Sequence, residues 1–182
     1  MPRRSDGIRS ALFFDRDGTL NHDSHYLSDP DKLVLLPGTR EAMQELAKGH
    51  LLFLFTNPSG PARGYCTIDD VLAVNARLVE MLGIEFDGVC NAFEAPDAPE
   101  LGYRKPSPKY ILEAIDKYRL DPARCVMFGD KKRDLEAGVN AGIGAVRVCG
   151  DIDDPSAAAY AAEHGFATVK FIGDYIATMD GI

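Results

Sequence analysis

The chain has 182 residues, 46% hydrophobic and 26% charged, the proportions of a single folded domain that buries roughly 70% of its unfolded surface. Its 28 acidic and 20 basic residues give a net charge of −8, which argues against a general nucleic-acid or membrane-surface role. No apolar run approaches membrane-spanning length, the charged start from Met1 to Asp6 lacks the apolar stretch of a secretory signal, and four scattered cysteines read as reduced thiols of a cytoplasmic protein.

The first predicted element is a buried strand over Ser10–Phe14, which ends abruptly in Asp15-Arg16-Asp17-Gly18-Thr19-Leu20. If the backbone stays extended past Phe14, Asp15 and Asp17 point to one side and Arg16 to the other. Two like charges facing one spot are costly unless a cation sits between them or one holds a proton, which suggests a metal-bound carboxylate nucleophile beside a carboxylic acid. A calcium loop would need further oxygen ligands at alternate positions and a closing glutamate, which Thr19-Leu20-Asn21 does not supply.

Residues 21–37 lack periodicity and read as a loop over the strand ends, with a short hairpin. His22 and His25 within it have no third partner at metal-ligand spacing. A helix is predicted over Arg40–Lys48, stopped by Gly49, and a second strand over His50–Phe55 that runs into Thr56-Asn57-Pro58-Ser59-Gly60. Such a cluster of a hydroxyl and amides at a strand end suits phosphate oxygens. Thr67 and Asp70 cap a helix whose core stripe is Val71, Val74, Leu78, Met81 and Leu82.

Gly88–Ala92 reads as a third strand, and Phe93–Tyr103 as a loop rich in proline and acids. Ser107 as N-cap and Pro108 at the first helical position open a helix carrying Ile111, Ala114, Ile115 and Tyr118. Asp121-Pro122 starts a turn into a fourth strand, Cys125–Phe128, broken by Gly129-Asp130. A helix over Asp134–Ala141, a strand over Ile143–Val148, a helix over Pro155–His164, a strand over Thr168–Lys170 and a helix from Asp174 complete the chain. Strands alternating with helices give an α/β fold with a doubly wound, mostly parallel sheet. No large insertion follows either of the first two polar strand ends, so residues 1–182 form one domain without a large cap domain.

In that layout Asp15 and Asp17, Thr56 and Asn57, and Asp130 with Lys131 and Asp134 lie along one edge of the sheet, with Arg104-Lys105 arriving from a loop. The cations that an acidic protein would gather for an anionic substrate are Arg104-Lys105 and Lys131-Lys132-Arg133. The chemistry is coherent for hydrolysis of a phosphate ester. Asp15 attacks phosphorus to form an aspartyl-phosphate, and Asp17 exchanges protons with the leaving oxygen and then with water. Magnesium is expected on Asp15, Asp130 and the backbone carbonyl of Asp17, with Thr56 and Lys105 steadying the transferring oxygens. Asp134 reads equally as a site acid and as a helix-start residue favoured by the macrodipole.

Asp-Arg-Asp-Gly-Thr-Leu-Asn (15–21), Phe-Thr-Asn (55–57), Arg-Lys-Pro (104–106) and Gly-Asp-Lys-x-x-Asp (129–134) resemble, in order, the four motifs of the haloacid dehalogenase superfamily of phosphotransferases. Within it, these residues and the stretch from Ser59 to Gly64 are similar to the phosphatases of heptose 1,7-bisphosphate and of histidinol phosphate. The resemblance implies Asp15, Asp17, Thr56 and Lys105 as catalytic and magnesium at Asp15, Asp17 and Asp130. It implies substrate contacts from Asp23, Ser24, His25, Tyr26, Asn57, Pro58, Ser59, Arg63, Arg104 and Lys131. The sequence departs from that subfamily at Pro58, where glutamine is usual, and at Leu101-Gly102-Tyr103, which replace the last cysteines of a zinc loop. Cys90 is then the one remaining thiolate, so no zinc is expected.

The expected function is a monomeric, magnesium-dependent phosphatase of a small phosphorylated metabolite, a phosphosugar such as a heptose bisphosphate first and histidinol phosphate second. A phospho-accepting receiver places its aspartate on a later strand, and a non-catalytic phosphate-binding domain would not need Asp15, Asp17, Lys105 and Asp130 together.

Overall fold

The protein is described by a computed structural model for residues 9–98 and 102–179; the charged start and Leu101 lie outside the described residues. Six parallel strands form one sheet in the order β3-β2-β1-β4-β5-β6. The strands are β1 (Arg9–Phe14), β2 (Leu51–Thr56), β3 (Gly88–Asn91), β4 (Leu120–Gly129), β5 (Gly144–Val148) and β6 (Ala167–Val169). The helices are α1 (Thr39–Gly49), α2 (Ile68–Leu82), α3 (Lys109–Tyr118), α4 (Lys132–Asn140), α5 (Pro155–His164) and α6 (Ile172–Met179). This is the doubly wound α/β architecture expected from the strand and helix alternation.

Alternation along β1 divides the core between the two faces of the sheet. Leu12 and Phe14 pack with Met43 and Leu46 of α1, Val74 and Leu78 of α2, and Ile172 of α6. Ala11 and Phe13 pack on the other face with Ile111 and Ala114 of α3 and Ala137 of α4. Phe13 stacks on Phe53 with ring centroids 4.8 Å apart, and Phe14 on Phe128 at 5.0 Å. Burying each ring contributes roughly 2–3 kcal/mol, with about 1 kcal/mol more for each stacked pair. A strand whose two faces are both covered must be apolar throughout, which is why β1 is a continuous run and not an alternating one.

Strand order reverses beside β1, because β2 lies on one side of it and β4 on the other. The chain leaving the first strand for α1 and the chain leaving the fourth for α4 therefore turn to opposite faces of the sheet, opening at the strands' carboxyl ends the crevice where ligands bind in open α/β sheets. Asp15 N–H donates to Phe128 O at 2.9 Å and holds the mouth of this crevice in register.

The turn predicted at Asp121-Pro122 falls inside β4. Arg9 pairs with Leu120 and Ala11 with Cys125, so extra residues of β4 bulge out between two nearly adjacent residues of β1. The helix expected to be capped by Ser107 begins at Lys109 with Pro108 as N-cap; Ser107 Oγ still accepts from Lys109 N–H at 3.4 Å and itself donates to Gly102 O at 2.7 Å. Residues 21–37 do form a hairpin-like excursion, with His22 N–H donating to Val34 O and Leu36 N–H to Leu20 O, anchored in the core by Leu27, Leu33 and Leu36. Behind the crevice, Gly150 packs against the backbone of Gly18, where a Cβ at position 150 would collide with the Gly18 carbonyl. Tyr175 of α6 sits edge-on to Phe128 at 4.9 Å.

Candidate active site

At the end of β1 the backbone leaves the extended conformation. The carbonyl of Arg16 accepts from the N–H groups of Thr19 at 3.3 Å, Leu20 at 2.8 Å and Asn21 at 3.2 Å, and Gly18 turns with φ +80°. Neighbouring side chains need no longer alternate in such a turn, and the expected separation of Arg16 from Asp17 does not occur. Arg16 Nη2 pairs with Asp17 Oδ2 at 2.8 Å, while its Nη1 donates to Asn75 Oδ1 of α2 at 2.9 Å. Asn21 Nδ2 donates to Asp17 Oδ1 at 2.9 Å, so the Asp17 carboxyl is held from two sides.

Asp15 sits below it among buried charges. Lys105 Nζ lies 2.7 Å from Asp15 Oδ1, 2.7 Å from Asp134 Oδ1 and 2.7 Å from Phe55 O. Lys105 is only 2% exposed. Burial alone would lower its pKa, but the Asp134 and Asp15 carboxylates outweigh that and raise it. Its place is fixed by Asn57, which accepts from Lys105 N–H at 3.0 Å and donates to Lys105 O at 3.1 Å. That clamp was not foreseen, because 48 residues separate the two and a lone asparagine after a strand signals nothing about a distant peptide.

Asp130, from the end of β4, completes the acidic centre. One carboxylate oxygen from each of Asp15, Asp130 and Asp134 lies within 4.8 Å of the others. Asp130 Oδ2 takes Lys131 Nζ at 2.7 Å, whereas its buried Oδ1 has no hydrogen-bond partner among the described residues. Burial, then the neighbouring Asp134 and Asp15, push Asp130 up to about 7; burial pushes Asp15 up to about 6 against the pull of Lys105. Three converging carboxylates with an orphaned buried oxygen form an all-oxygen donor set suited to a hard divalent cation. The Asp17 carboxyl is not one of the three. Asp134 meets both of its expected readings: its Oδ2 accepts from Lys131 N–H at 2.9 Å as the third residue of α4, and its Oδ1 faces Lys105.

Two glycines make this convergence sterically feasible. A Cβ on Gly18 would come within 2.5 Å of Asp130 Oδ2, and one on Gly129 would overlap the Asp134 side chain.

Above the acids opens a cavity of about 190 Å³. Asp15, Asp17, Asp23, His25, Tyr26, Thr56, Asn57, Pro58, Ser59 and Lys131 line it. Ser24, Arg63 and Arg104 do not. Arg104 is buried, and its Nη1 donates to Glu94 O at 3.1 Å. His25 and Tyr26 both have positive φ, 44° and 53°; in bulky residues that strain accompanies functional loops. Arg133, named from the sequence only as part of a cationic cluster, also lines the cavity, as do Leu27, Cys66 and Val71. Cys90 is buried, and burial pushes its thiol up to about 12.

Residues 21–142 match the family model of haloacid dehalogenase-like hydrolases. The chain is 38% identical over 148 residues to the D-glycero-beta-D-manno-heptose-1,7-bisphosphate 7-phosphatase of Pasteurella multocida, covering 75% of this chain and 79% of that protein. It is 36% identical over 146 residues to the protein of the same name from Haemophilus influenzae, covering 74% of this chain and 78% of that protein. Its fold superposes with a TM-score of 0.80 and 26% identity on a D,D-heptose 1,7-bisphosphate phosphatase from B. bronchiseptica complexed with magnesium and phosphate, over 93% of this chain and 97% of that one.

Proposed function

Because the chain belongs to the haloacid dehalogenase-like hydrolase family, we propose that it is a magnesium-dependent phosphatase that removes one phosphate from a heptose 1,7-bisphosphate. The observation that supports this reading most is the pairing of Asp15 with buried Lys105 beside the orphaned Oδ1 of Asp130. A carboxylate held this way is oriented as a nucleophile, with positive charge fixed where a phosphoryl group would arrive. Residues 1–182 act, on this reading, as one monomeric cytoplasmic catalytic domain.

An oxygen of Asp15 attacks phosphorus, and the ester P–O bond breaks as the Asp15 O–P bond forms. Asp17 gives a proton to the departing sugar oxygen; Arg16 and Asn21 keep its carboxyl aimed. A water molecule then gives a proton to Asp17 and attacks the same phosphorus, releasing inorganic phosphate and restoring Asp15. Lys105 and Thr56 hold the equatorial oxygens of a loose transition state, in which positioning and electrostatics supply most of the acceleration. Asp15 and Asp130 would hold magnesium together with the Asp17 carbonyl, since Lys105 engages the third carboxylate, Asp134, and the ion would supply the positive charge that lets an anionic nucleophile approach a phosphate. Asp134 tethers Lys105. Substrate contacts fall to Asp23, Ser24, His25, Tyr26, Asn57, Pro58, Ser59, Arg63, Arg104 and Lys131.

Phosphate release from heptose 1,7-bisphosphate and from histidinol phosphate, measured side by side with magnesium, tests the reading. The bisphosphate is expected to have the higher kcat/KM by at least about tenfold, and Asp15→Asn to abolish turnover of both. Preference for histidinol phosphate would overturn the substrate, and turnover surviving Asp15→Asn would overturn the nucleophile.

A further inference from the structure

The structure finds most cations near the cavity already engaged. Lys105 is held by Asp15, Asp134 and Phe55 O, Arg16 by Asp17 and Asn75, and Lys131 by Asp130. Arg104 donates to the carbonyl of Glu94 away from the lining. Arg133 differs. It lies in the first turn of α4, it lines the cavity, its side chain is exposed, and its guanidinium makes no hydrogen bond or ion pair with any described residue.

The acids that face Arg133 are Asp134, Asp15, Asp130 and Asp23. The first two are held by Lys105, Asp130 by Lys131, and Asp23 accepts from the N–H of His25 at 3.2 Å. On its other side Arg133 lies close enough to Arg104 for the two charges to repel, and Arg63 adds to that repulsion. An unpaired guanidinium at the mouth of a cavity, backed by two more in a protein of net charge −8, is an anion-recognition device.

The cavity, about 190 Å³, lies below the ~300–1,000 Å³ usual for sites that enclose a whole small molecule. One phosphate at Asp15 would therefore fill the floor, and the far end of a sugar bisphosphate would emerge beside Arg133. We propose that Arg133 is the specificity-determining residue that holds the second phosphate of a sugar bisphosphate at the cavity mouth. This rests on the phosphatase reading and deepens it.

The test compares wild type, Arg133→Ala, Arg133→Lys and Arg104→Ala on heptose 1,7-bisphosphate and on heptose 7-phosphate, with magnesium, reading kcat and KM separately. Arg133→Ala is expected to lower kcat/KM for the bisphosphate about 10–100-fold, mainly through KM, the loss of one bidentate phosphate contact. The monophosphate, lacking the group that Arg133 holds, is expected to change less than about threefold and serves as the folding control. Lysine at 133 recovers part of the loss, since it keeps the charge without the fork. Equal losses on both substrates, no loss on either, or a selective loss from Arg104→Ala alone would each overturn the assignment. Failure of the wild type to hydrolyse either ester would sink the phosphatase reading and this inference with it, a result distinct from hydrolysis that is indifferent to residue 133.

Discussion

Replacing Lys105 by methionine keeps the length of the side chain and deletes its charge. Each of its two ion pairs spans 2.7 Å, worth about 6 kcal/mol in gross Coulomb energy at an effective dielectric of 20. Most of that is offset by the cost of keeping three charges out of water, and removing one partner of such a buried group costs about 3–5 kcal/mol net. A domain with about 5–15 kcal/mol of total stability would survive but be visibly weakened. Turnover is expected to fall by about a thousandfold, because a unit charge about 4 Å from the transferring oxygens contributes roughly 4 kcal/mol in the transition state. Urea unfolding followed by circular dichroism measures the first effect, and phosphate release the second. Lys105→Met combined with Asp134→Asn separates them: removing the orphaned acid restores at least about 1 kcal/mol of stability and no activity. Lys105→Met within about 0.5 kcal/mol of wild type, or recovery of turnover in the double variant, would refute the picture of one ammonium serving two carboxylates.

Gly18→Ala places a Cβ within 2.5 Å of Asp130 Oδ2 at a φ of +80°; a loss of about 1–3 kcal/mol and weaker magnesium binding by calorimetry are expected, and unchanged binding would refute the close approach. Burial raises Asp15 to about 6 and Asp130 to about 7. Their folded forms hold protons more tightly than the unfolded chain, so the stability they contribute is full below about pH 4 and is lost as pH rises through about 6–7. Magnesium is therefore expected to raise the urea midpoint at about pH 7.5 and leave it unchanged at about pH 4.5; an equal rise at both would contradict it. Asn57→Ala frees both polar groups of the Lys105 peptide, and a tenfold or so drop in kcat with about 1–3 kcal/mol of lost stability is expected; a variant as active as wild type would show that the clamp positions nothing.

Much of the architecture was legible because it rests on short-range patterns. The Ser10–Phe14 run, the Thr67 and Asp70 cap and the apolar stripe of α2 each specify their element from residues within one or two turns. What escaped depends on partners far along the chain or on local backbone reversal. Arg16 meets Asp17 because three N–H groups converge on one carbonyl, which strand periodicity cannot anticipate. Asp121-Pro122 is a sound turn signal, yet pairing with Arg9 and Ala11 absorbs it as a bulge. Asp134 was ambiguous in sequence for a physical reason: its two oxygens do different work, one satisfying the start of α4 and the other facing Lys105. The cationic cluster 131–133 was visible, but not which member stays unpaired: Lys131 takes the adjacent Asp130 and Lys132 takes Glu136 one turn along α4, while Arg133 makes no such pair among the described residues.

The contact between Gly150 and Gly18 gives the segment just beyond β5 a purpose that its distance along the chain from Asp15 and Asp17 conceals. It is a backstop: bare main chain presses on bare main chain beneath the turn that carries both first-motif aspartates, and His22 adds a lateral tie to Asp151. Any alteration that thickens or shifts residues 149–151 would be transmitted to Asp17 with almost nothing compressible between, so tolerance to mutation in this protein should follow backbone proximity to the crevice more closely than distance along the sequence.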